Sequence, residues 1–268
     1  MYEELQEKAK QIRRDALEAI YAAKSGHPGG SFSATEMLVA LYYKQMQNIS
    51  AADPKNIDRD RFVLSKGHAC PALYAILADK GYFPKEDLKT LRHFDSHLQG
   101  QPDKKKTPGI DACAGSLGQG VSVAVGLAMG AKKAGKSLQV YTMLGDGEMQ
   151  EGQPWEAFMS AAHYKLDNLT FLIDNNGLQI DGSNEEVMSL GSIADKMRAF
   201  DMETIEVKNG HDFAEIFAAL DAPHNGKPKA IVAHTVKGKG VSYMENEVFW
   251  HGSAPSAEQM KQAMEELK

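Results

Sequence analysis

Two stretches decide the fold. One is Leu138-Gln139-Val140-Tyr141-Thr142-Met143-Leu144-Gly145-Asp146-Gly147, the other Leu169-Thr170-Phe171-Leu172-Ile173-Asp174-Asn175-Asn176-Gly177. Each is a nearly continuous apolar run that stops at a turn signal, the pattern of a strand buried on both faces. The first leads into a helical stretch from Trp155 to Lys165, so Gly145-Asp146-Gly147 is not the turn of a hairpin. Upstream, Gly115-Ser116-Leu117-Gly118-Gln119-Gly120 opens an apolar helix from Val121 to about Lys133. Before it come a strand at Arg61–Leu64, a helix around Leu73 to Asp79, and an N-terminal helix with Leu5, Ala9, Ile12, Ala16, Ile20 and Ala23 on one face. Gly26 sits where that helix would stop, and Ser33 with Glu36 has capping-box spacing. Downstream follow Glu203–Val207, a helix Phe213–Leu220, the strand Ala230–Thr235 and a terminal helix within Ser256–Lys268. Strands alternating with helices predict an α/β fold: a doubly wound, mostly parallel sheet with helices on both faces. No repeat or linker interrupts the pattern, so residues 1–268 read as one domain.

Composition narrows the function. The 268 residues carry 30 Lys and Arg against 36 Asp and Glu, a net charge of −6 that gives no electrostatic reason to bind nucleic acid or an anionic membrane. Two separated cysteines, Cys70 and Cys113, form neither a disulfide framework nor a thiolate zinc site and suit a reducing, cytoplasmic setting. No apolar run approaches the ~20 residues of a membrane span, and Met1-Tyr2-Glu3-Glu4-Leu5 is no signal peptide.

In open parallel sheets, ligands sit beyond the carboxyl ends of the strands. Asp146 and Asn176 both fall there, with 27 residues between Gly147 and Asn175. A carboxylate and a carboxamide facing one pocket suit a hard cation such as Mg²⁺, whose remaining positions go to water and phosphate oxygens. The Gly147 N–H and the helix behind it would face a phosphate. Asp-Gly and Asn-Gly are each common turn dipeptides, so the specificity lies in the pair at this spacing.

Here the residues resemble a known family. Gly145-Asp146-Gly147 through Asn175-Asn176 looks like the thiamine-diphosphate signature, and the flanks are similar to transketolase: Ser25-Gly26-His27-Pro28-Gly29-Gly30, Ser65-Lys66-Gly67-His68-Ala69, Gly115 to Gly120 and Asp174 to Gly182. The resemblance runs in order from about residue 5 to Ser256. It implies thiamine diphosphate with Mg²⁺ (or Ca²⁺ or Mn²⁺), the metal held by Asp146, the Asn176 side chain and the Leu178 carbonyl. Cofactor contacts would come from His68, Gly115, Leu117, Gly147, Asn176, Ile180 and His251. The catalytic positions implied are His27 and His251, with Gln101 at the substrate and Glu151 meeting a partner chain's glutamate. His97 also falls in the family's mouth-of-pocket region.

The implied reaction moves a two-carbon ketol unit from a ketose phosphate to an aldose phosphate. Transketolases resemble a chain more than twice this long, with pyrimidine-binding and C-terminal domains following. The expectation is therefore the N-terminal subunit of a split enzyme, active with a C-terminal partner subunit, two copies of each. Gln101 departs from the family's usual histidine; a glutamine donates a hydrogen bond but shuttles no proton. Cys113-Ala114 stand where hydroxyl residues are usual. A cofactor-binding scaffold without turnover is the alternative; a Mg²⁺-dependent phosphatase-like hydrolase and deoxyxylulose-phosphate synthase rank lower. His163, His211, His224 and His234 read as structural, Lys104-Lys105-Lys106 as a solvated loop, Lys237-Gly238-Lys239-Gly240 as a flexible surface turn, and the methionines as core filler.

Overall fold

The computed structural model of the chain describes residues 2–268. In chain order its elements are α1 (Glu3–Ala23), α2 (Pro28–Ser33), α3 (Thr35–Ala40), β1 (Arg61–Leu64), α4 (Cys70–Asp79), α5 (Gln119–Lys133), β2 (Val140–Gly145), α6 (Gly152–His163) and β3 (Leu169–Asn175). A minimal hairpin follows, β4 (Leu178–Gln179) with β5 (Gly182–Ser183), then α7 (Asn184–Met188), α8 (Ile193–Ala199), β6 (Glu203–Val207), α9 (Phe213–Asp221), β7 (Lys229–His234) and α10 (Ala257–Glu266).

The main sheet has the order β1-β2-β3-β7-β6 and every pairing in it is parallel. Alternation along each strand divides the core into two layers. Tyr141, Met143, Leu172 and Ile231 face one layer with Ile12, Leu38, Leu73 and Phe213 from α1, α3, α4 and α9. Val140, Leu144, Phe171, Ile173 and Val232 face the other, with Val121 and Ala128 of α5, Phe158 of α6 and Met197 of α8. Both faces are covered, which is why the strands read as unbroken apolar runs. The strands Arg61–Leu64 and Glu203–Val207 fall where the sequence reading put them, and the other strand and helix ends differ from it by at most three residues.

Two local expectations fail. The first is the capping box at Ser33 and Glu36, which does not form: α3 has no side-chain cap, the Ser33 hydroxyl donates to Asp174 at 2.6 Å, and Glu36 is committed elsewhere. Its carboxylate accepts from Arg13 at 2.6 Å and pairs with the half-buried His211 at 2.8 Å, a triad joining α1, α3 and the turn before α9. The only complete capping box among the described residues is Ser256 with Gln259 on α10. The second is the stop of α1, which falls at Lys24, whose φ of 51° makes the left-handed cap two residues before Gly26.

Candidate functional site

Four neighbouring parallel strands end at one rim, and each releases polar residues there. β1 gives Lys66 and His68, β2 gives Asp146, β3 gives Asn176, and β7 gives Lys237. The Gly145–Asp174 register between β2 and β3 puts the Asp146 and Asn176 turns side by side, as the sequence pairing required. They line a cavity of about 200 Å³, together with Leu117, Gly147, Leu178, Ile180, His68 and His251.

Asp146 is 2% exposed. Its carboxylate accepts from the Gly177 N–H at 2.5 Å and from the Gly147 N–H at 2.8 Å. The Gly147 N–H is therefore taken by Asp146 rather than left for a phosphate, and a short 3₁₀ turn, not a helix, follows it. Burial and the neighbouring Asp174 push the Asp146 carboxyl above its ordinary range. The Asn176 carboxamide accepts from the Leu178 N–H at 3.1 Å and donates to Asp174 at 3.3 Å.

Asp174, fully buried, organises the rim. It accepts from Lys66, from Thr235 and from Ser33, and so joins the exits of β1, β3 and β7 to α2. Burial would raise its pKa, but the Lys66 ammonium and these donors hold it below the usual carboxylate range. Glu148 plays the same part on the opposite layer, accepting from the Ser65 hydroxyl at 2.5 Å, the Gly118 N–H at 2.8 Å and the Gly145 N–H at 3.1 Å; burial raises its pKa. Gly120 lets α5 come this close: a Cβ there would lie 2.7 Å from the Ser65 Cα.

Lys237 overturns its reading as part of a surface turn. It is 2% exposed, and its ammonium donates to the Leu178 carbonyl at 2.9 Å and to His251 Nδ1 at 3.0 Å. Burial, then the nearby Lys66, lower its pKa to about 8. Gly238 is held in the left-handed region at φ 78°, and its N–H donates to the Gly29 carbonyl at 3.0 Å, stitching this segment to α2.

His27, His68 and His251 form one cluster, with ring centroids 5.2 to 5.5 Å apart. Burial and the surrounding cations depress all three, His27 to about 4 and His251 to about 3. These rings are neutral near pH 7.

The other expected residues divide. Leu117 and Ile180 present partly exposed apolar surface to the cavity. Gln101 lines an adjoining cleft with Arg92 and Cys113, its side-chain oxygen buried without a partner. Gly115 is outside the cavity, near Gln101. Glu151 is exposed at the N-cap of α6. His97 is not at this rim: it pairs with Asp87 at 3.0 Å and packs against Phe83. His211 is structural as expected; Lys104, Lys105 and Lys106 are exposed. Sequence reasoning assigned no role to Lys66, Asp174, Glu148 or Arg92. Their signal was positional, since the strand-end rule that selected Asp146 also selects Lys66 and Lys237.

Comparison with known proteins agrees with this geometry. Residues 5–268 match the family described as transketolase, thiamine diphosphate binding domain. The chain is 41% identical over its whole length to one subunit of the apulose-4-phosphate transketolase of Actinobacillus succinogenes, covering 97% of it. It is 43% identical over 99% of its length to a 6-deoxy-6-sulfo-D-fructose transketolase subunit of a Clostridium species, covering 96% of it. Among solved structures, transketolase from Leishmania mexicana superposes with a TM-score of 0.91 at 34% identity; the match takes in 98% of this chain and 41% of that one. The chain thus spans about two fifths of the single-chain enzyme. By the family match over residues 5–268 and the two subunit-sized relatives, this chain belongs to the transketolase family.

Proposed function

We propose that the chain is the diphosphate-binding subunit of a two-subunit transketolase, moving a two-carbon ketol unit from a ketose phosphate to an aldose phosphate with thiamine diphosphate and Mg²⁺. The observation that carries this is Lys237. A buried cation is ordinarily paired, yet no carboxylate lies within ion-pair distance of Lys237 among the described residues. An anionic ligand in the cavity supplies the missing partner.

The donor set fits the group. Asp146, Asn176 and the Leu178 carbonyl are hard oxygen donors of one negative charge in total, too few to hold Mg²⁺ without phosphate oxygens. No group of three or more His, Cys, Asp or Glu side chains forms a self-sufficient metal site among the described residues. Metal and diphosphate would bind together, with Lys237 and Lys66 answering the remaining charge. When bound, the cofactor supplies the nucleophilic carbon and the electron sink. The protein's part is to fix its diphosphate end, wall the cavity with Leu117 and Ile180, and place the histidine cluster over the reacting end. Neutral histidines can give and take hydrogen bonds at substrate oxygens and carry protons between them.

The whole chain serves as one domain in this reading, and the remaining walls come from a C-terminal partner, two copies of each subunit. Glu151, exposed and without a side-chain partner among the described residues, suits the partner-facing role. Two free thiols, Cys70 and Cys113, suit the reducing cytoplasm. The test is reconstitution: neither subunit transfers ketol units on its own, and mixing them with cofactor and Mg²⁺ restores transfer. Full transfer by this chain alone would overturn the assignment.

A further inference from the structure

Arg92 has a backbone φ of 62°, the left-handed region that costs a non-glycine residue of order 1 kcal/mol or more. Its N–H donates to the Leu98 carbonyl at 2.9 Å, closing a loop that turns the side chain toward α2. There one guanidinium nitrogen donates to the Ser25 hydroxyl at 2.6 Å and another meets His27 Nδ1 at 3.1 Å. Gly100 makes the space: a Cβ on it would lie 2.9 Å from Arg92 Nε. A strained backbone, a pinned guanidinium and a glycine slot thus converge on one nitrogen of one imidazole.

A guanidinium has only donors and stays charged at any working pH. The nitrogen it faces must therefore be an acceptor. We infer that Arg92 is a positioning residue that locks neutral His27 in the Nε2–H tautomer, so that the ring edge beside Gly252, next to the cavity-lining His251, carries an N–H and not a lone pair. Nε2 has no hydrogen-bond partner among the described residues and lies beside Gly252, where a Cβ would sit 3.6 Å from it and cover that edge. The depressed pKa of His27, from burial and then Arg92, accords with a neutral ring. Lys237 stands to His251 Nδ1 as Arg92 stands to His27 Nδ1.

The chemical consequence rests on the proposed ketol transfer: His27 meets a substrate oxygen as a donor, stabilising negative charge that develops there, and another group must receive protons first. The tautomer itself does not rest on it. Long-range proton–nitrogen correlation spectra of the full chain labelled with ¹⁵N-histidine, at pH 7 and without cofactor, read it directly. A His27→Gln variant assigns the signal. His27 is expected with a protonated, pyrrole-like Nε2 and an unprotonated Nδ1. In Arg92→Met the proton should redistribute over both nitrogens. An Nδ1–H tautomer or an imidazolium in the unaltered chain would overturn the inference, as would an unchanged tautomer in Arg92→Met. If that variant does not fold, the spectrum of the unaltered chain decides alone. A failed reconstitution assay with the expected spectrum would count against the enzyme reading and not against the lock.

Discussion

The Lys237 ammonium donates to the carbonyl oxygen of Leu178 at 2.9 Å, the same oxygen assigned to the metal. One cation therefore stands against the donor that another is proposed to use. The relationship also explains how a lysine with no anionic partner is tolerated: two neutral acceptors solvate it.

Lys237→Met removes the charge and keeps most of the volume. Hydrogen bonds to charged groups contribute about 1.5–3 kcal/mol, so inorganic pyrophosphate with Mg²⁺ should bind roughly 10- to 150-fold more weakly by calorimetric titration. The ligand-free variant should melt no lower than the parent, because an uncompensated buried charge is gone. Unaltered pyrophosphate affinity would refute the role given to Lys237.

Asp146→Asn keeps the shape of the side chain and discards the only negative charge among the proposed metal donors. Saturating Mg²⁺ and pyrophosphate should raise the melting temperature of the parent, as any ligand selective for the folded state does, and leave that of the variant where it was. Equal shifts in both would show that the metal is held elsewhere.

Acid should weaken the fold in two overlapping windows, one that begins near pH 6.5 and one that begins near pH 4.5. Glu36, pulled down to about 2 against burial by Arg13 and His211, contributes stability that is present above the ordinary glutamate range and lost as pH falls toward 2. Its displacement from 4.5 to about 2 corresponds to about 3 kcal/mol. His27 and His251 are held neutral, so the unfolded chain takes up their protons first, and stability falls as pH drops from 6.5 toward about 4 and 3. Denaturant titrations across pH should show Glu36→Gln flattening the lower window and His27→Gln the upper. A single window abolished by neither would contradict the assignment.

Gly120→Ala and Gly126→Ala make a matched pair on α5. Alanine in a helix interior gains about 1 kcal/mol over glycine, but at 120 the new methyl would meet Ser65 backbone at 2.7 Å, an overpacking cost of about 1–3 kcal/mol. At 126 nothing lies within 4 Å. In the isolated chain the first change should lower the unfolding midpoint and the second raise it; the reverse order would mean α5 packs differently.

The fold was legible because β2 and β3 are apolar on both faces, and only a sheet covered twice tolerates that. The adjacency of Asp146 and Asn176 was legible for a related reason: the two interrupt those runs at matching ends. Lys237 was misread because Lys-Gly-Lys-Gly has the composition of a loop, and composition does not record that Gly238 folds the segment back onto Gly29. Ser33 and Glu36 matched a local motif that lost to longer-range partners, Asp174 and the Arg13–His211 pair. Arg92 gave no signal, since its part depends on a left-handed φ and a glycine eight residues away. Short-range chemistry is written in sequence order; the rim is assembled by strand adjacency.

Asp174 is a keystone for that rim, with Ser33, Lys66 and Thr235 leaning on a single carboxylate. Of its bearers Lys66 reaches the cavity wall, whereas Gln101 and Ile180 have no bond to the keystone. Substitution can therefore accumulate at the outer positions as independent changes. The inner masonry is inherited whole or forfeited whole.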